Sequence, residues 1–520
     1  MMISPVDIPK ERVRFAVRFV GLGLVFSFVV FFFWQHPPAS LLMLVLAAVL
    51  AWIRPSIAIA LLPLTFPYYL DLKPLTPSGF PAFSLIELGL FICLGVVVLR
   101  NVVLPKERLA SREWVRYLWG KSRLFLLPAL VFLIGASLAT LVSPDLHESV
   151  RAYREEIIEP LLYFLLILRY LQTRDDVARA VGALVFSALI AAVMGIIQGV
   201  FHITSDLLYV DATTFRVNGP YGSPNNLAFL LDRTLPILLA LALVGLVRRP
   251  GDGARAFRIP WRDPLRWTCL VLMIPLFWAL YWTGSRGAEV ALAVVFSLLF
   301  IFEIRNWIVL MVVVGVGGAG AFLLRSRLLG FLDASGHGIL SERLLLWKAG
   351  LLMIRDHFLL GTGPDSFNSL YAPTSPSSYA LKALDGQAFP AAYNPHLSHP
   401  HNFFLDFWIS TGLLGLVAFF WLLGAFMLLA RRVYCLCTPL WDGPLLQRLL
   451  VGIVGSIIAT LVHGLVDNSY FVPDLAMMFW FFIGILLVLQ RMVAHEQRLL
   501  RQRFGAPGLS TKVTGMSINR

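Results

Sequence analysis

Long apolar runs recur along the whole chain, separated by short polar stretches. They occupy roughly 15–34, 39–53, 55–70, 82–99, 124–142, 157–172, 176–201, 225–247, 266–283, 287–304, 306–324, 402–430, 448–466 and 474–492. About 18 or more apolar residues in helical conformation cross the hydrocarbon core of a bilayer. The second and third runs are short and separated only by Arg54-Pro55, so they read either as a full hairpin or as a shallow broken one. The pattern predicts an all-α polytopic membrane protein with 12–14 transmembrane helices. The first run follows basic residues, exceeds the length of a signal-peptide apolar region and lacks a small-residue cleavage site. It reads as a retained span.

Composition agrees. Of 520 residues, 58% are hydrophobic and 14% charged, against roughly a quarter charged in soluble domains. Mean hydropathy is +0.77. No soluble domain of ordinary composition is left over. The chain divides into an N-terminal transmembrane bundle (1–324), a large extracytoplasmic loop (325–400), C-terminal transmembrane helices (401–492) and a cytoplasmic tail (493–520).

The net charge of +13 suggests nucleic acid only until its distribution is considered. The basic residues cluster in alternate loops, at 10–18, 100–123, 248–266, 431–448 and from Arg491 onward. This is the positive-inside pattern, with both termini inside. The assignment puts 31 of the 43 Lys and Arg inside and 12 outside. It argues against a nucleic-acid partner. None of the four cysteines falls in an outer loop, so no disulfide framework is expected.

The outer segments are then 71–81, 143–156, 202–224, 325–400 and 464–473, the fourth being by far the largest. Within it, Glu342 to Arg355 has apolar residues at 344, 347, 351 and 354, and Arg343, Lys348 and Arg355 suit an interfacial helix. Gly361-Thr362-Gly363-Pro364 breaks that helix. The stretch from Ala372 to Pro400, rich in Pro, Ser, Ala and Tyr, reads as a mobile lid.

Two nucleotide-like motifs carry no weight. Gly120-Lys121-Ser122 has Val115 where a phosphate loop needs glycine, and Gly315 to Gly320 lies within an apolar run, where close helix packing explains its glycines. The outer-face polar residues are more informative. Arg216 sits in the Gly/Pro-rich turn Thr214–Asn225, and Arg286 in the tight turn Thr283-Gly284-Ser285-Arg286-Gly287. An arginine at membrane depth is costly and commonly has an anionic partner. Each either snorkels to the interface or binds an anion, and two guanidinium forks on one face suit a pyrophosphate.

His396, His399 and His401 are open to three readings: a metal site, a solvated histidine cluster, or a base at a helix start. No carboxylate or Cys lies nearby in sequence, which weakens the first. The third rests on position, because His401 precedes a long span that Asn402 is placed to cap. A neutral imidazole there accepts a proton from a sugar hydroxyl. Asp467, in His463–Asp474, is either a helix cap or the polar partner of an Arg or His.

Several of these segments together resemble the O-antigen ligase / Wzy polymerase family. They are Arg343–Phe367, including His357-Phe358-Leu359-Leu360-Gly361-Thr362-Gly363-Pro364; His401–Trp408 with Gly412-Leu413-Leu414-Gly415; Arg216–Asn225; and Ser285-Arg286-Gly287. The resemblance covers about 210–475, and the first 200 residues match only in hydropathy. It implies a GT-C-like, all-helical membrane fold in a bacterial inner membrane, and a metal-independent reaction needing no cofactor. The donor is an undecaprenyl-pyrophosphate-linked glycan. Ligases pass the glycan to lipid A-core, polymerases to another lipid-linked repeat, and some relatives to protein. The family's essential arginines fall on Arg216 and Arg286, which would hold the donor pyrophosphate, and its essential histidine on His401. Arg343 matches a recurrent loop arginine, and His399 is an additional neighbour. A transporter for the same lipid-linked glycan is the alternative of a different class. Against it, the charges sit at outer-face turns and no internal repeat is evident.

The charge pattern makes a testable statement about orientation. In intact cells, a membrane-impermeant thiol reagent should label Ser377→Cys and leave Ala254→Cys unlabelled. The reverse labelling would put the arginine–histidine set on the cytoplasmic side.

Overall fold

The structure, a computed structural model, describes residues 10–33, 37–74, 82–121, 123–203, 215–244, 263–303, 339–386, 398–438, 440 and 443–504. Apart from a two-residue antiparallel pairing of Lys73–Pro74 with Ala82–Phe83, its regular elements are helical. The helices that matter below are α1 (Lys10–Phe33), α2 (Pro37–Ile53), α3 (Pro55–Leu61), α4 (Leu85–Val103), α5 (Pro105–Lys121), α6 (Arg123–Leu141), α7 (Leu146–Tyr153), α8 (Glu159–Tyr170), α9 (Arg174–Phe201), α10 (Pro224–Leu243), α11 (Pro264–Thr283) and α12 (Arg286–Glu303). They continue with α13 (Ile339–Asp356), the short α14 (Phe367–Tyr371) and α15 (Tyr379–Leu384), then α16 (Phe403–Cys437), α17 (Gly443–Gly464) and α18 (Pro473–Phe504).

Among the described residues, nine helices are long and apolar enough to cross a membrane, or ten if the α2–α3 pair is one bent span. That pair turns through 120° at Arg54-Pro55, where proline removes a backbone donor. Pro63 and Pro67 then tighten the following turn into a 3-10 helix over Leu62–Tyr68. The broken form of the two readings of 39–70 is therefore the one observed. Two expected spans fall outside that count among the described residues. The run at 157–172 becomes the 12-residue α8, continued backwards by a π-turn at Arg154–Ile158 and α7. The run at 287–304 becomes α12, whose 18 residues carry Arg286, Glu289 and Glu303. The expected span at 306–324 lies outside the described residues.

The spans look outward with apolar side chains. On α1, Phe19, Leu22, Phe26, Val29 and Phe33 are exposed at three- and four-residue spacing, Phe33 to 77%. A helix face of that kind is satisfied by lipid rather than water. Where helices meet, small residues let backbones approach. A Cβ on Gly135 of α6 would lie 2.7 Å from the backbone nitrogen of Gly415 on α16. Among the described residues, several ionisable groups inside the bundle are tied to neighbours. His463 Nδ1 and Asp232 Oδ2 are 2.6 Å apart, Arg233 Nε donates to Thr460 Oγ1 at 2.9 Å, and Tyr221 donates to Asp474 at 3.0 Å. Arg233 also donates to the Ser469 carbonyl, which anchors the turn between α17 and α18 to α10.

The segment expected as the outer loop folds against the start of α16. The expected helix at 342–355 is α13, and Leu346, Ala349 and Met353 on it pack against Tyr371, Tyr379, Ala380, Ala383 and Ile409. Residues 379–384 of the expected lid are thus a packed helix, because Tyr379, Ala380, Ala383 and Leu384 bury their side chains there. Residues 387–397 of that stretch, with His396 among them, lie outside the described residues. After α13 the chain enters a break in α16. Leu413 N–H donates to Leu359 O at 3.1 Å, Thr362 N–H to Ile409 O at 2.6 Å, and Trp408 Nε1 to Phe358 O at 2.8 Å.

The break exists because Gly412 takes φ +67°, ψ −176°, a region essentially reserved for glycine. A Cβ at Gly412 would stand 2.4 Å from the Leu359 carbonyl oxygen. Gly412→Ala should therefore destabilise the protein by more than the ~1–3 kcal/mol of the backbone strain alone. Thermal unfolding in detergent checks this. Gly424→Ala, where a Cβ meets nothing within 4 Å, is the control expected to change little. Equal midpoints for the two variants would refute the account of the kink.

Candidate active site

His401 stands at the entry to α16 with a left-handed backbone, φ +49°. Few non-glycine residues adopt this conformation, and histidine is among those that tolerate it. The strain is held from both sides. Trp347 Nε1 donates to the His401 carbonyl at 3.4 Å. Asn402 caps α16 as expected, its side-chain oxygen accepting from Phe404 N at 3.1 Å and Leu405 N at 3.2 Å. Asn402 Nδ2 also donates to Leu465 O at 2.9 Å, joining this cap to the turn that carries Asp467.

The imidazole of His401 is paired. Its Nδ1 lies 2.6 Å from Asp467 Oδ1. An ionised carboxylate only accepts hydrogen bonds, so Nδ1 carries a proton, and in the neutral tautomer this leaves the lone pair on Nε2. The other oxygen of Asp467 accepts from Asn225 Nδ2 at 2.6 Å. Asn225 Oδ1 in turn accepts from an Arg216 Nη at 2.9 Å, and Arg216 Nε donates to Thr283 O at 2.6 Å. A single hydrogen-bonded chain thus runs from His401 through Asp467, Asn225 and Arg216 to the turn that starts α12 at Arg286. Gly284 makes that turn possible: it sits at φ +61°, and a Cβ there would stand 3.4 Å from Arg216 Nε.

Charge is concentrated around this chain. Burial draws the Arg216 guanidinium below its ordinary value; Asp467 opposes that, and nearby Arg286 and Arg343 reinforce it. Burial alone would raise the Asp467 carboxyl, but His401, Arg343 and His399 outweigh it and hold the group well below the usual carboxylate range. His399 is pushed down to about 3 by burial and by His401; Asp467 opposes and Arg343 adds to the shift. His399 is therefore a neutral imidazole, its Nδ1 2.8 Å from Ser398 Oγ and its ring edge-on to His401 at 4.8 Å between centroids. Arg286 is half-buried, and its buried Nη1 has no hydrogen-bond partner among the described residues. An arginine donor buried without an acceptor suits an anionic ligand.

The site thus gathers Arg216, Arg286, Arg343, His399, His401 and Asp467, all of which the sequence suggested. Three of them also form the group best placed for metal among the described residues: ligand atoms of His399, His401 and Asp467 all lie within 4.8 Å of one another. In sequence no carboxylate accompanied the histidines; the fold supplies one from 66 residues away. Sequence reasoning missed Asn225 as the bridge. It also missed Glu156, Asp365 and Asp406, which line the same cavity of about 420 Å³ as His399, His401 and Asp467. An acidic side chain inside an apolar run, as Asp406 is in α16, was the available signal.

No curated protein matches the chain. Residues 270–420 match the Wzy_C family model, described as O-Antigen ligase. The matched stretch includes Arg286, Arg343, His399, His401 and the Gly412 kink, and leaves Arg216 and Asp467 outside. The chain is a polytopic helical membrane protein in which residues 270–420, less than half of its length, are similar to the O-antigen ligase (Wzy_C) family.

Proposed function

We propose that the protein is a metal-independent glycosyltransferase that moves a glycan from an undecaprenyl-pyrophosphate carrier to an acceptor hydroxyl at the outer face of the inner membrane, acting as an O-antigen ligase. Repeat-unit polymerisation and transfer to protein use the same chemistry with another acceptor. The observation that carries the proposal is the hydrogen-bonded chain from His401 to Arg216, because it joins a candidate base to a candidate phosphate clamp.

In this reading Arg216 and Arg286 hold the pyrophosphate and stabilise the charge that develops on it as it leaves. His401 Nε2 takes the proton of the acceptor hydroxyl, and Asp467 holds the ring and stabilises the imidazolium, the arrangement familiar from carboxylate-oriented histidine bases. The acceptor oxygen forms its bond to the anomeric carbon as the bond to the pyrophosphate oxygen breaks. The bonding pair leaves with undecaprenyl pyrophosphate, so no nucleotide is required.

The grouping of His399, His401 and Asp467 favours a second reading, a metal-assisted transfer. The contact between His401 Nδ1 and Asp467 occupies that nitrogen and leaves Nε2 for an ion, an arrangement that histidine ligands share with histidine bases. Chelation decides. Purified protein should transfer glycan at full rate in EDTA, and a loss restored by zinc or another divalent ion would replace the base with a metal.

The roles separate by mutation. Arg286→Lys keeps the charge but loses the planar two-donor fork, so donor affinity should fall, and Arg216→Ala should behave similarly. His401→Ala should still bind the lipid-linked donor while turnover drops about 10²–10⁴-fold. His399→Ala should cost much less. Donor binding and single-turnover rates on the same preparations check this. Near-normal turnover in His401→Ala, or loss caused only by failure to bind donor, removes His401 from the role of base.

A further inference from the structure

The turn that begins α12 is held from two sides, and the transfer mechanism draws on only one of them. On the first side, Arg216 Nε donates to Thr283 O at 2.6 Å and Val217 N–H to Trp282 O at 3.1 Å. On the second, Ser285 Oγ lies 3.3 Å from His463 Nε2, and His463 Nδ1 lies 2.6 Å from Asp232 Oδ2. Ser285, His463 on α17 and Asp232 on α10 are all buried. With Nδ1–H donated to the carboxylate, the neutral imidazole has its lone pair on Nε2, where it accepts the Ser285 hydroxyl.

The imidazole has little freedom to turn away. Phe229 stacks on it with 3.9 Å between ring centroids. Gly287 lets the ring edge approach the turn, since a Cβ there would stand 2.5 Å from His463 Cδ2 and 2.8 Å from Nε2. A buried polar pair is commonly no more stabilising than well-packed apolar residues of the same volume, so a histidine–aspartate pair inside a membrane bundle points to a role other than stability. The role is legible one residue further on. Arg286 follows Ser285 directly, and its buried Nη1 has no hydrogen-bond partner among the described residues. Arg286 and Arg343 both act on the Arg216 guanidinium, and Asp467 offsets only one of the three charges. Like charges this close repel, so a turn that carries Arg286 must be held in place until an anion arrives.

We propose that Ser285, His463 and Asp232 are positioning residues for Arg286: Asp232 fixes the His463 ring, His463 holds the Ser285 hydroxyl, and the anchored turn sets the Arg286 fork where it meets a donor phosphate. This rests on the transferase reading, in which Arg286 holds the pyrophosphate. None of the three touches the ligand. Their contribution is preorganisation, because a turn fixed beforehand does not have to be ordered against charge repulsion when the donor binds.

The test is calorimetric titration of the purified full chain in detergent with inorganic pyrophosphate. Ser285→Ala should weaken binding about three- to tenfold, the equivalent of one lost hydrogen bond. In an Arg286→Ala background the same substitution should have no further effect, since the group it positions is gone. Two variants of His463 separate positioning from support of the bundle. His463→Asn sets an amide nitrogen where Nδ1 stood, so it keeps the Asp232 contact but falls short of Ser285. His463→Gln reaches further and sets an amide oxygen where Nε2 stood, so it still accepts the Ser285 hydroxyl. The Gln variant should therefore bind pyrophosphate nearly as the native protein does, and the Asn variant as weakly as Ser285→Ala. Thermal midpoints verify folding; if both His463 variants unfold, the Ser285→Ala and Arg286→Ala pair decides alone. Native affinity in Ser285→Ala, equal affinities in folded Gln and Asn variants, or a Ser285→Ala loss that persists without Arg286 overturns the positioning role. Failure of the transferase reading looks different: Arg286→Ala by itself then leaves pyrophosphate affinity unchanged, which removes both.

Discussion

The Asp467 carboxylate is the group on which the site is built. It is a buried anion in a turn at the membrane boundary, and such a charge persists only if it is surrounded by donors and positive charge. Its oxygens are taken by His401, by Asn225 and by the backbone N–H of Asn468. Each contact comes from a different element, so satisfying this one group draws together the entry to α16, the entry to α10 and the α17–α18 turn. Through Asn225 the same requirement orients Arg216, and through Arg216 the turn before Arg286.

The fold holds that geometry by giving up regularity at selected places. The break at Gly412 admits the backbone of the segment after α13 into α16, which locks α13 and its satellite helices beside His401. The entry to α16 bears the left-handed backbone of His401. Strain at these points persists because neighbouring hydrogen bonds over-determine it. Deeper in the bundle, the Asp232–His463 and Arg233–Thr460 pairs fix the helix that delivers Asn225. His463 Nε2 lies 3.3 Å from Ser285 Oγ, so the same network supports the arginine turn from below.

Arg216 lies within electrostatic reach of Asp467, Arg286 and Arg343, while Glu156, Asp365 and Asp406 line the cavity beside His401. A cluster of guanidinium groups suits the charge that develops on an anionic leaving group. The low polarity of the surrounding bundle strengthens that interaction.

The sequence alone determined that the chain is helical and membrane-spanning, because about 18 or more apolar residues in a row have few other ways to hide their backbone polar groups from lipid. It also showed the amphipathic helix at 342–355, the break at Gly361–Pro364 and the Asn402 cap, each set by neighbours a few residues away. Arg216, Arg286 and His401 stood out because charged or titratable groups beside apolar runs are costly. Only the tertiary structure decided what those residues touch. Asp467 meets His401 across 66 residues, and Asn225 meets Asp467 across 242. The grouping of Glu156, Asp365 and Asp406 around one cavity, the bent α2–α3 pair and the kink at Gly412 were likewise settled by packing. Periodicity records how a segment is solvated, whereas pairing between distant segments depends on which helices lie side by side, and that is set by the summed contacts of the whole bundle.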